Sequence, residues 1–490
     1  MKAFYFVPAI ALICFAQASA NVLNVPSANP TIQSAILAAQ QGDTVLVAPG
    51  VYAENINFRG RNIVVASNFL LSGDRSDIYS TIINGGSPVS ADTASCVVIN
   101  SGEDSTAMLV GFTLTAGAGT KWLDEHGAGT YVEGGGVLIQ YSSPTIRNNY
   151  ITGNSAIRRP SGATSAGGGA IRIGDGRPYI LNNVIVNNSG MYGGGIVLNY
   201  TGATIRNNII AGNRVYPAVS GAPTFGGGGL WISENFGTSQ KIIENNTIVG
   251  NTVSGNGSSY AGRGGGALVA STHAIFRNNI IWNNTQTTGT QLGLILGGTA
   301  QATFNDIQGG FAGAGNIDAD PRFVDTLSYL LQSSSPCIDA GDSASTYNDP
   351  EDSGSPGNAF FPAQGTVRND IGTYGGQGSS LLPEIVTSVR HGRWNGKPEG
   401  FLLYDNYPNP FNPQTMIRFS LNAKGFVTLK IFDLLGREMK TLVEQNLEAG
   451  DYNRLFNGTQ LASGSYFYRL SIAGEQRHLA SVTKKMIFLR

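Results

Sequence analysis

A pair of adjacent asparagines recurs five times in the middle of the chain, and a third asparagine follows every pair at the same spacing. The pairs are Asn148-Asn149, Asn182-Asn183, Asn207-Asn208, Asn245-Asn246 and Asn278-Asn279. The asparagines that follow them are Asn154, Asn188, Asn213, Asn251 and Asn284. A register this strict indicates a structural repeat, in which each unit is one supersecondary element that stacks on its neighbours.

Apolar residues alternate with polar ones around each asparagine pair. Upstream of the pair, two apolar columns stand two positions apart: Val137, Ile171, Ile196, Leu230, Ala267 and then Ile139, Ile173, Leu198, Ile232, Val269. One further column precedes the pair and another follows it: Ile146, Ile180, Ile205, Ile243, Phe276 and Ile151, Ile185, Ile210, Ile248, Ile281. Residues two apart on a strand share a face, so the columns predict three short strands per unit. Such strands bury their apolar side only by stacking, which predicts an all-β, three-sided parallel β-helix.

The second asparagine of each pair is predicted to form a ladder along the stack. Its members are Asn149, Asn183, Asn208, Asn246 and Asn279. Asparagine tolerates the left-handed backbone angles of tight turns, and its amide can bond to the equivalent amide of the next coil. We therefore interpret these residues as structural, and not as ligands of a metal or a substrate.

A helical pattern precedes the repeats. From Pro30 to Gln41, apolar residues recur at helical spacing, and Gly42 is a stop signal. The open end of a solenoid needs a cap. The sequence predicts that an N-terminal helix supplies it.

Residues 22–376 resemble the right-handed parallel β-helix proteins of the pectate-lyase-like superfamily. The resemblance is carried by the coils, by the opening Thr31–Ile36 with Gly42–Val45, and by three later segments: 316–324, 335–342 and 368–372. It implies a right-handed solenoid, which we place at residues 21–376, and a polysaccharide groove on the first strand and its adjoining corner.

The charge of the chain and its N-terminal residues indicate which partners it can bind and that it is exported. The net charge is −1, with a pI near 6.4, which leaves no basic field for nucleic acid. Lys2, a short apolar run and Ala18-Ser19-Ala20 predict a signal peptide over residues 1–20, against the alternative of a membrane anchor. We expect no transmembrane segment in the mature chain. Cys96 and Cys337 remain after cleavage, either paired or, as we favour, as buried thiols.

The chain changes character near residue 377. Residues 377–400 are rich in Gly, Ser and Pro, which predicts a linker, and residues 401–490 alternate like a small immunoglobulin-like antiparallel sandwich. Residues 407–413, 433–438, 461–466 and Lys484-Lys485-Met486 closely resemble the C-terminal sorting domain of the type IX secretion system. The resemblance implies the secretion machinery as a partner and an extracellular or outer-membrane-surface location. An ordinary immunoglobulin-like binding module is the alternative.

Candidate binding residues come from the outward positions of the first strand. Between the coils, insertions of unequal length project from one corner: 118–133, 155–166, 189–192, 214–226 and 252–263. The candidates on the adjoining strand face are Gln140, Arg172, Asn199 and Trp231. An exposed tryptophan stacks on sugar rings, and Arg and Asn bind hydroxyls or a uronate carboxylate. The alternative for Trp231 is packing beneath the 214–226 insertion.

The carboxylates do not single out a reaction. Calcium-dependent lyases need clustered carboxylates on the strand face, and the outward positions of that face hold none. Asp124, Glu125, His126 and Glu133 share one insertion, and Asp175 and Glu234 follow strands, so a hydrolytic pair remains open. We expect no cofactor, with calcium in the acidic segment 339–352 as an alternative to turn roles.

These patterns favour a secreted or cell-surface protein, expected to be monomeric, that binds extracellular polysaccharide. The first alternative is a polysaccharide lyase or glycoside hydrolase. The second is a structural envelope protein or adhesin.

Overall fold

A computed structural model describes most of the chain from Ala20 to Phe488, which divides into two compact units, Met1–Thr387 and Ser388–Arg490. The described residues are 20–124, 126–127, 129–157, 163–216, 224–234, 239–255, 261–353, 355–385, 401–403, 406, 411–421, 424–433, 437–448, 450–459, 461–473 and 479–488. The predicted signal peptide, apart from Ala20, and residues 386–400 of the predicted linker lie outside this part.

Three long parallel sheets form the walls of the first unit, which confirms the predicted β-helix. The eight-stranded sheet contains Ile56–Asn57, Val97–Ile99, Val137–Gln140, Ile171–Gly174, Ile196–Asn199, Leu230–Ser233, Ala267–Ala270 and Leu292–Ile295. The ten-stranded sheet contains Val22–Val25, Thr44–Val47, Val64–Ser67, Met108–Val110, Thr145–Arg147, Tyr179–Leu181, Thr204–Arg206, Lys241–Glu244, His273–Arg277 and Thr299–Thr303. The nine-stranded sheet contains Gly50–Tyr52, Thr81–Asn84, Thr113–Thr115, Tyr150–Thr152, Val184–Val186, Ile209–Ala211, Thr247–Val249, Ile280–Trp282 and Asp306–Ile307.

Two smaller sheets lie at the corner that carries the insertions, and the sequence patterns did not predict them. The first is parallel and contains Ser155–Ala156, Ser189–Gly190, Arg214–Val215 and Thr252–Val253. The second contains Thr93–Ala94, Gly119–Asp124, Gly129–Glu133 and Ser165–Gly167. Its two middle strands pair antiparallel and are called the insertion hairpin below. The described helices are Ile32–Ala38, Phe69–Ser72, Ser76–Ser80 and the 3₁₀ turn Ser345–Tyr347.

The predicted inward columns form one continuous core. Ile139, Ile151, Ile205 and Ile243 belong to the same cluster of buried side chains, and each is 0 % exposed. Neighbouring coils pair in the register that the asparagines set, for example Ile173 beside Leu198. Because each coil contacts only the coils above and below it, the core is a column and not a globule.

The two asparagines of each pair have separate roles. The first takes the left-handed backbone conformation, with φ between 50° and 56° in all five pairs. The second is buried and bonds along the stack: Asn183 Nδ2 donates to Asn208 Oδ1 at 3.0 Å, and Asn208 Nδ2 donates to Asn246 Oδ1 at 3.0 Å. The same amides also donate to backbone carbonyls, as Asn208 does to Ile180 O at 2.8 Å. The ladder continues through Asn305 to Asn316.

The N-terminal helix Ile32–Ala38 closes one end of the column. Ile32, Ala35 and Ile36 are buried in the same core cluster as the coils. Its first turn is capped by the side chain of Thr31 and by the Glu54 carboxylate, which accepts from the backbone N–H groups of Ile32 and Gln33 at 2.9 Å each. The predicted cap is present and slightly shorter than the sequence pattern.

Residues 317–385, called the strap below, run back along the outer side of the nine-stranded sheet. Cys337, Ile371, Tyr374 and Leu382 pack in one cluster with outward residues of that sheet such as Val184. The first asparagines of the pairs hold the strap in place, since their amides contact its backbone: Asn182 to Gly378 O, Asn207 to Thr373 O and Asn245 to Asp370 O. The strap therefore enters the stretch predicted as linker.

Buried carboxyls sit inside the strap. Asp349 accepts from the backbone N–H of Asp370 at 3.1 Å, and Asp370 accepts from that of Asp339 at 2.8 Å. Burial, followed by the charge of Asp370, raises the pKa of Asp349 to about 8, and burial raises the pKa of Asp370 to about 7. Cys337 and Cys96 are buried free thiols, so they do not pair with each other.

Because the pKa values of the strap carboxyls are raised, we expect the stability of the folded protein to fall as pH rises. The folded state retains protons that unfolded aspartates, with a pKa near 3.8, have already lost. The free energy of unfolding should then decrease from about pH 4 by roughly 1 kcal/mol per pH unit for each carboxyl, up to about pH 7 for Asp370 and about pH 8 for Asp349. Thermal melting at several pH values measures this, and Asp349→Asn should flatten the dependence while exposed Asp318→Asn should not. A wild-type profile that rises over this range would contradict the assignment.

The second unit is a two-sheet antiparallel sandwich, as predicted. One sheet contains Phe401–Leu403, Gln414–Leu421 and Gly450–Asn457, and the other contains Gly425–Phe432, Glu438–Leu447, Gly464–Ala473 and Leu479–Phe488. Alternate residues such as Val427, Leu429, Ile431 and Tyr468 fill its core. Residues 407–410 and 434–436 of the sequence motifs lie outside the described part.

Candidate functional site

Inserted segments cover the outward face of the eight-stranded sheet, where the sequence predicts an open groove. Leu138, Arg172 and Val197 point outward by register, yet each is at most 1 % exposed. The insertion hairpin and the strand Ser165–Gly167 belong to this cover, and Val132 and Ala166 pack with Val197 in a separate apolar cluster. The first-strand face is therefore partly covered by the insertions.

Alternation explains why the 118–133 insertion forms a hairpin. Trp122 pairs with Tyr131 and Thr120 pairs with Glu133, so side chains two apart share one face of the hairpin. Gly127 and Gly129, with φ of 84° and 115°, allow the chain to reverse. Trp122, Asp124, Tyr131 and Glu133 thus lie on the same face.

That face lines a cavity of about 200 Å³. Its aromatic lining consists of Trp122, Tyr131, Tyr192, Tyr200, Phe225 and Trp231. Its polar lining consists of Asp124, Glu133, Thr164, Ser165, Asn199 and Ser233. The hairpin, two strands of the eight-stranded sheet and three further inserted segments therefore converge on one aromatic site.

Glu133, which lines the cavity, forms a buried ion pair with Arg172, which does not line it. Arg172 Nε lies 3.0 Å from Glu133 Oε2, and both side chains are 1 % exposed. The same carboxylate accepts from Trp122 Nε1 at 2.8 Å and from the Tyr192 hydroxyl. The guanidinium also lies over the Trp122 ring, 3.8 Å from its centroid. Burial raises the pKa of Glu133, whereas the charge of Arg172 lowers it.

In this structure Arg172 does not present its guanidinium to the cavity, and a role for it in ligand binding stays a prediction. Register correctly directs the side chain outward, but the hairpin brings Glu133 and Trp122 over it. A buried guanidinium without a partner is costly, and the attraction of Glu133 offsets part of that cost. Arg172 therefore holds the hairpin against the sheet.

Gln140 is also buried and belongs to a second polar group at the hairpin tip. Its amide donates to Asp175 Oδ2 at 2.8 Å, and Asp175 Oδ1 lies 2.7 Å from His126 Nε2. The His126 ring stacks on Tyr200 with 3.8 Å between the centroids. These contacts join the hairpin tip to the ends of three strands of the eight-stranded sheet.

Trp231 and Asn199 reach the cavity itself. Trp231 is half-buried and packs against Tyr192 and Phe225, with ring centroids 5.7 and 6.1 Å away. Phe225 belongs to the 214–226 insertion, so Trp231 packs beneath that insertion, as the alternative interpretation held, and still lines the cavity. Within the part of the chain that the structure describes, Asn199 Oδ1 is buried and has no hydrogen-bond partner, while the residue itself lines the cavity.

The carboxylates lie closer to this face than the sequence predicted. The hairpin, and not the eight-stranded sheet, brings Asp124 and Glu133 to the cavity. Glu125 and residues 158–162, 217–223 and 256–260 of the insertions lie outside the described residues. Among the residues that are described, no three His, Cys, Asp or Glu side chains group closely enough to hold a metal ion. Calcium binding by segment 339–352 stays a prediction, and Asp339 there accepts from the backbone N–H of Thr366.

The aromatic lining is not among the residues predicted from the sequence, because no strands were expected within the insertions. A signal was present, since Thr120, Trp122 and Asp124 alternate before Gly127 and Tyr131 follows it. This is the pattern of two strands around a glycine turn. No such pattern predicts the contact between Tyr192 and Glu133, which lie in separate insertions.

Comparisons with known proteins agree with both units. Residues 125–307 match the family described as "Right handed beta helix region", and residues 405–488 match "Secretion system C-terminal sorting domain". Residues 26–189 also match "Protein of unknown function (DUF1565)". No curated protein matches the chain. None of the helices in the described part is long and apolar enough to cross a membrane.

Solved structures with some similarity include two complexes of pectin methylesterase. The complex with hexasaccharide VII is 12 % identical over 60 % of this chain and 80 % of that chain, with a TM-score of 0.30. A point mutant in complex with hexasaccharide IV is 13 % identical over 52 % and 79 %, with a TM-score of 0.28. CopC from Methylosinus trichosporium OB3b is 15 % identical over 18 % and 92 %, with a TM-score of 0.14. These scores support no inference about activity. The two matched families and the described sheets identify the chain as a secreted right-handed parallel β-helix protein with a C-terminal type IX sorting domain.

Proposed function

We propose that this protein binds extracellular polysaccharide through the aromatic cavity over its eight-stranded sheet. The observation that carries the proposal is the convergence of six aromatic side chains from the hairpin, the sheet and two insertions on one cavity. Aromatic faces bind the C–H faces of sugar rings, and a few placed polar groups orient them. Asn199 and Ser233 supply such groups.

The cavity is preorganised for a ligand. Trp122 is held by its hydrogen bond to Glu133 and by the guanidinium of Arg172, and Tyr192 is held by the same carboxylate. Side chains held in place before binding lose less conformational freedom when a ligand arrives. The buried pair thus supports binding indirectly, through the two rings that it fixes.

Replacing Trp231 with alanine should weaken glycan binding about 10- to 100-fold, because the substitution removes a stacking surface from the cavity wall. Glycan arrays followed by calorimetry on the full exported chain measure the loss. Tyr179→Ala is the matched control, since Tyr179 is an exposed aromatic on the ten-stranded sheet. Equal retention of glycans by wild type and Trp231→Ala would remove the cavity from the binding site.

A second candidate function, glycoside hydrolysis or polysaccharide lysis, is favoured by one observation. Asp124 and Glu133 line the same cavity, and glycoside hydrolysis uses a pair of carboxyl groups. Release of reducing ends or unsaturated products from a polysaccharide panel would support this candidate if Asp124→Asn abolished the release. Binding without release would favour the first function.

A further inference from the structure

The basic side chain that pairs with Glu133 is not available to a ligand. Uronate carboxylates are usually recognised by arginine, whose planar guanidinium donates two parallel hydrogen bonds. Arg172 is 0 % exposed, its Nε lies against Glu133, and its flat face is covered by Trp122. A uronate entering the cavity would find this guanidinium already paired.

The remaining charge in the cavity has the wrong sign for an acidic sugar. Asp124 lines the cavity, and its Oδ1 accepts a hydrogen bond from the backbone N–H of His126 at 3.0 Å. Among the lining residues that the structure describes, none carries a positive charge. Since Asp124 is 7 % exposed, its repulsion of another carboxylate is poorly screened by water.

Uncharged sugars suit the same lining. The aromatic rings offer stacking surfaces, and Asn199, Ser233 and Thr164 offer neutral donors and acceptors at the level of the cavity. Asp124 can accept a hydrogen bond from a sugar hydroxyl, since an ionised carboxylate is an acceptor only. A neutral sugar ring can therefore hydrogen-bond to Asp124, whereas the carboxylate of a uronate would be repelled by it.

Building on the proposed function, we propose that the cavity selects neutral sugars over uronates. The ligand class is a neutral hexose or pentose glycan, or a uronate whose carboxyl group is masked as an ester. The selection rests on Asp124 together with the sequestration of Arg172 by Glu133.

Matched oligosaccharides that differ only in charge test this selectivity. Calorimetry on the full chain at pH 7 would use oligogalacturonides of one length in three forms: free acid, fully methyl-esterified and carboxyl-reduced. Glucan, xylan, mannan and galactan oligosaccharides complete the panel. We expect the best neutral ligand to bind, and each acid form to bind at least about tenfold more weakly than its uncharged counterpart.

The Asp124→Asn variant tests whether the charge of Asp124 causes the weaker binding of the acid forms. Asparagine keeps the Oδ1 acceptor for His126 while removing the charge, so the penalty against the acid forms should shrink several-fold, and exposed Asp104→Asn should leave it unchanged. Tighter binding of the acid forms to wild type would overturn the selectivity and leave the binding function standing. Absence of binding across the whole panel would overturn the binding function, and the selectivity with it.

Discussion

Replacing Asn208 with alanine should destabilise the solenoid by about 3–5 kcal/mol, because several buried groups lose their partner together. Asn208 Nδ2 donates to Asn246 Oδ1, Ile180 O and Arg206 O, and its Oδ1 accepts from the backbone and side chain of Asn183 at 2.9 and 3.0 Å. Each buried group left unsatisfied costs about 1–3 kcal/mol. Thermal melting followed by circular dichroism should show a midpoint lower by roughly 5–10 °C.

The control for the ladder is Asn24→Ala, which removes an exposed asparagine from the first strand. Its midpoint should stay within about 1–2 °C of wild type, since exposed substitutions away from special features change stability little. If Asn208→Ala were as benign as Asn24→Ala, the amide ladder would not be a principal source of stability.

Replacing Glu133 with alanine should also cost about 3–5 kcal/mol, because it leaves the Arg172 guanidinium buried without its counter-charge. The substitution also removes the acceptor of Trp122 and of Tyr192. We expect faster hydrogen exchange in residues 119–133 together with a lower melting temperature. Glycan affinity should fall with it, since two cavity rings lose their support.

The double variant Glu133→Leu/Arg172→Met tests whether the lost stability comes from the unpaired buried charge of Arg172. Removing both partners leaves no buried ion, so the double variant should recover at least half of the stability lost in Glu133→Ala. Destabilisation equal to the sum of the two single substitutions would show that the groups do not act as a pair.

The fold was predictable from sequence because each coil repeats one short pattern. Alternation around the asparagine pairs fixed which residues point inward, and Ile139 and Ile151 lie in the core as expected. The cap at Ile32–Ala38 followed from helical spacing. The strap was not predictable, since its contacts join residues far apart in sequence, such as Asn245 and Asp370.

The candidate site was predictable only in part. Register placed Arg172, Asn199 and Trp231 on the outward face, but register cannot tell whether an inserted segment folds over that face. The hairpin changes their roles: it buries Arg172 against Glu133, whereas Asn199 and Trp231 remain at the cavity. Pairings between insertions, such as Tyr192 with Glu133, depend on tertiary packing that no local pattern encodes.

Hydrogen exchange on the full chain, with and without a saturating neutral oligosaccharide identified by the glycan array, shows whether the aromatic cavity is where the glycan binds. We expect slower exchange in peptides that cover residues 119–133 and 230–233, and unchanged exchange in the strap at residues 317–385. Protection confined to the strap, or to the sorting domain, would contradict the assignment of the aromatic cavity as the glycan-binding site.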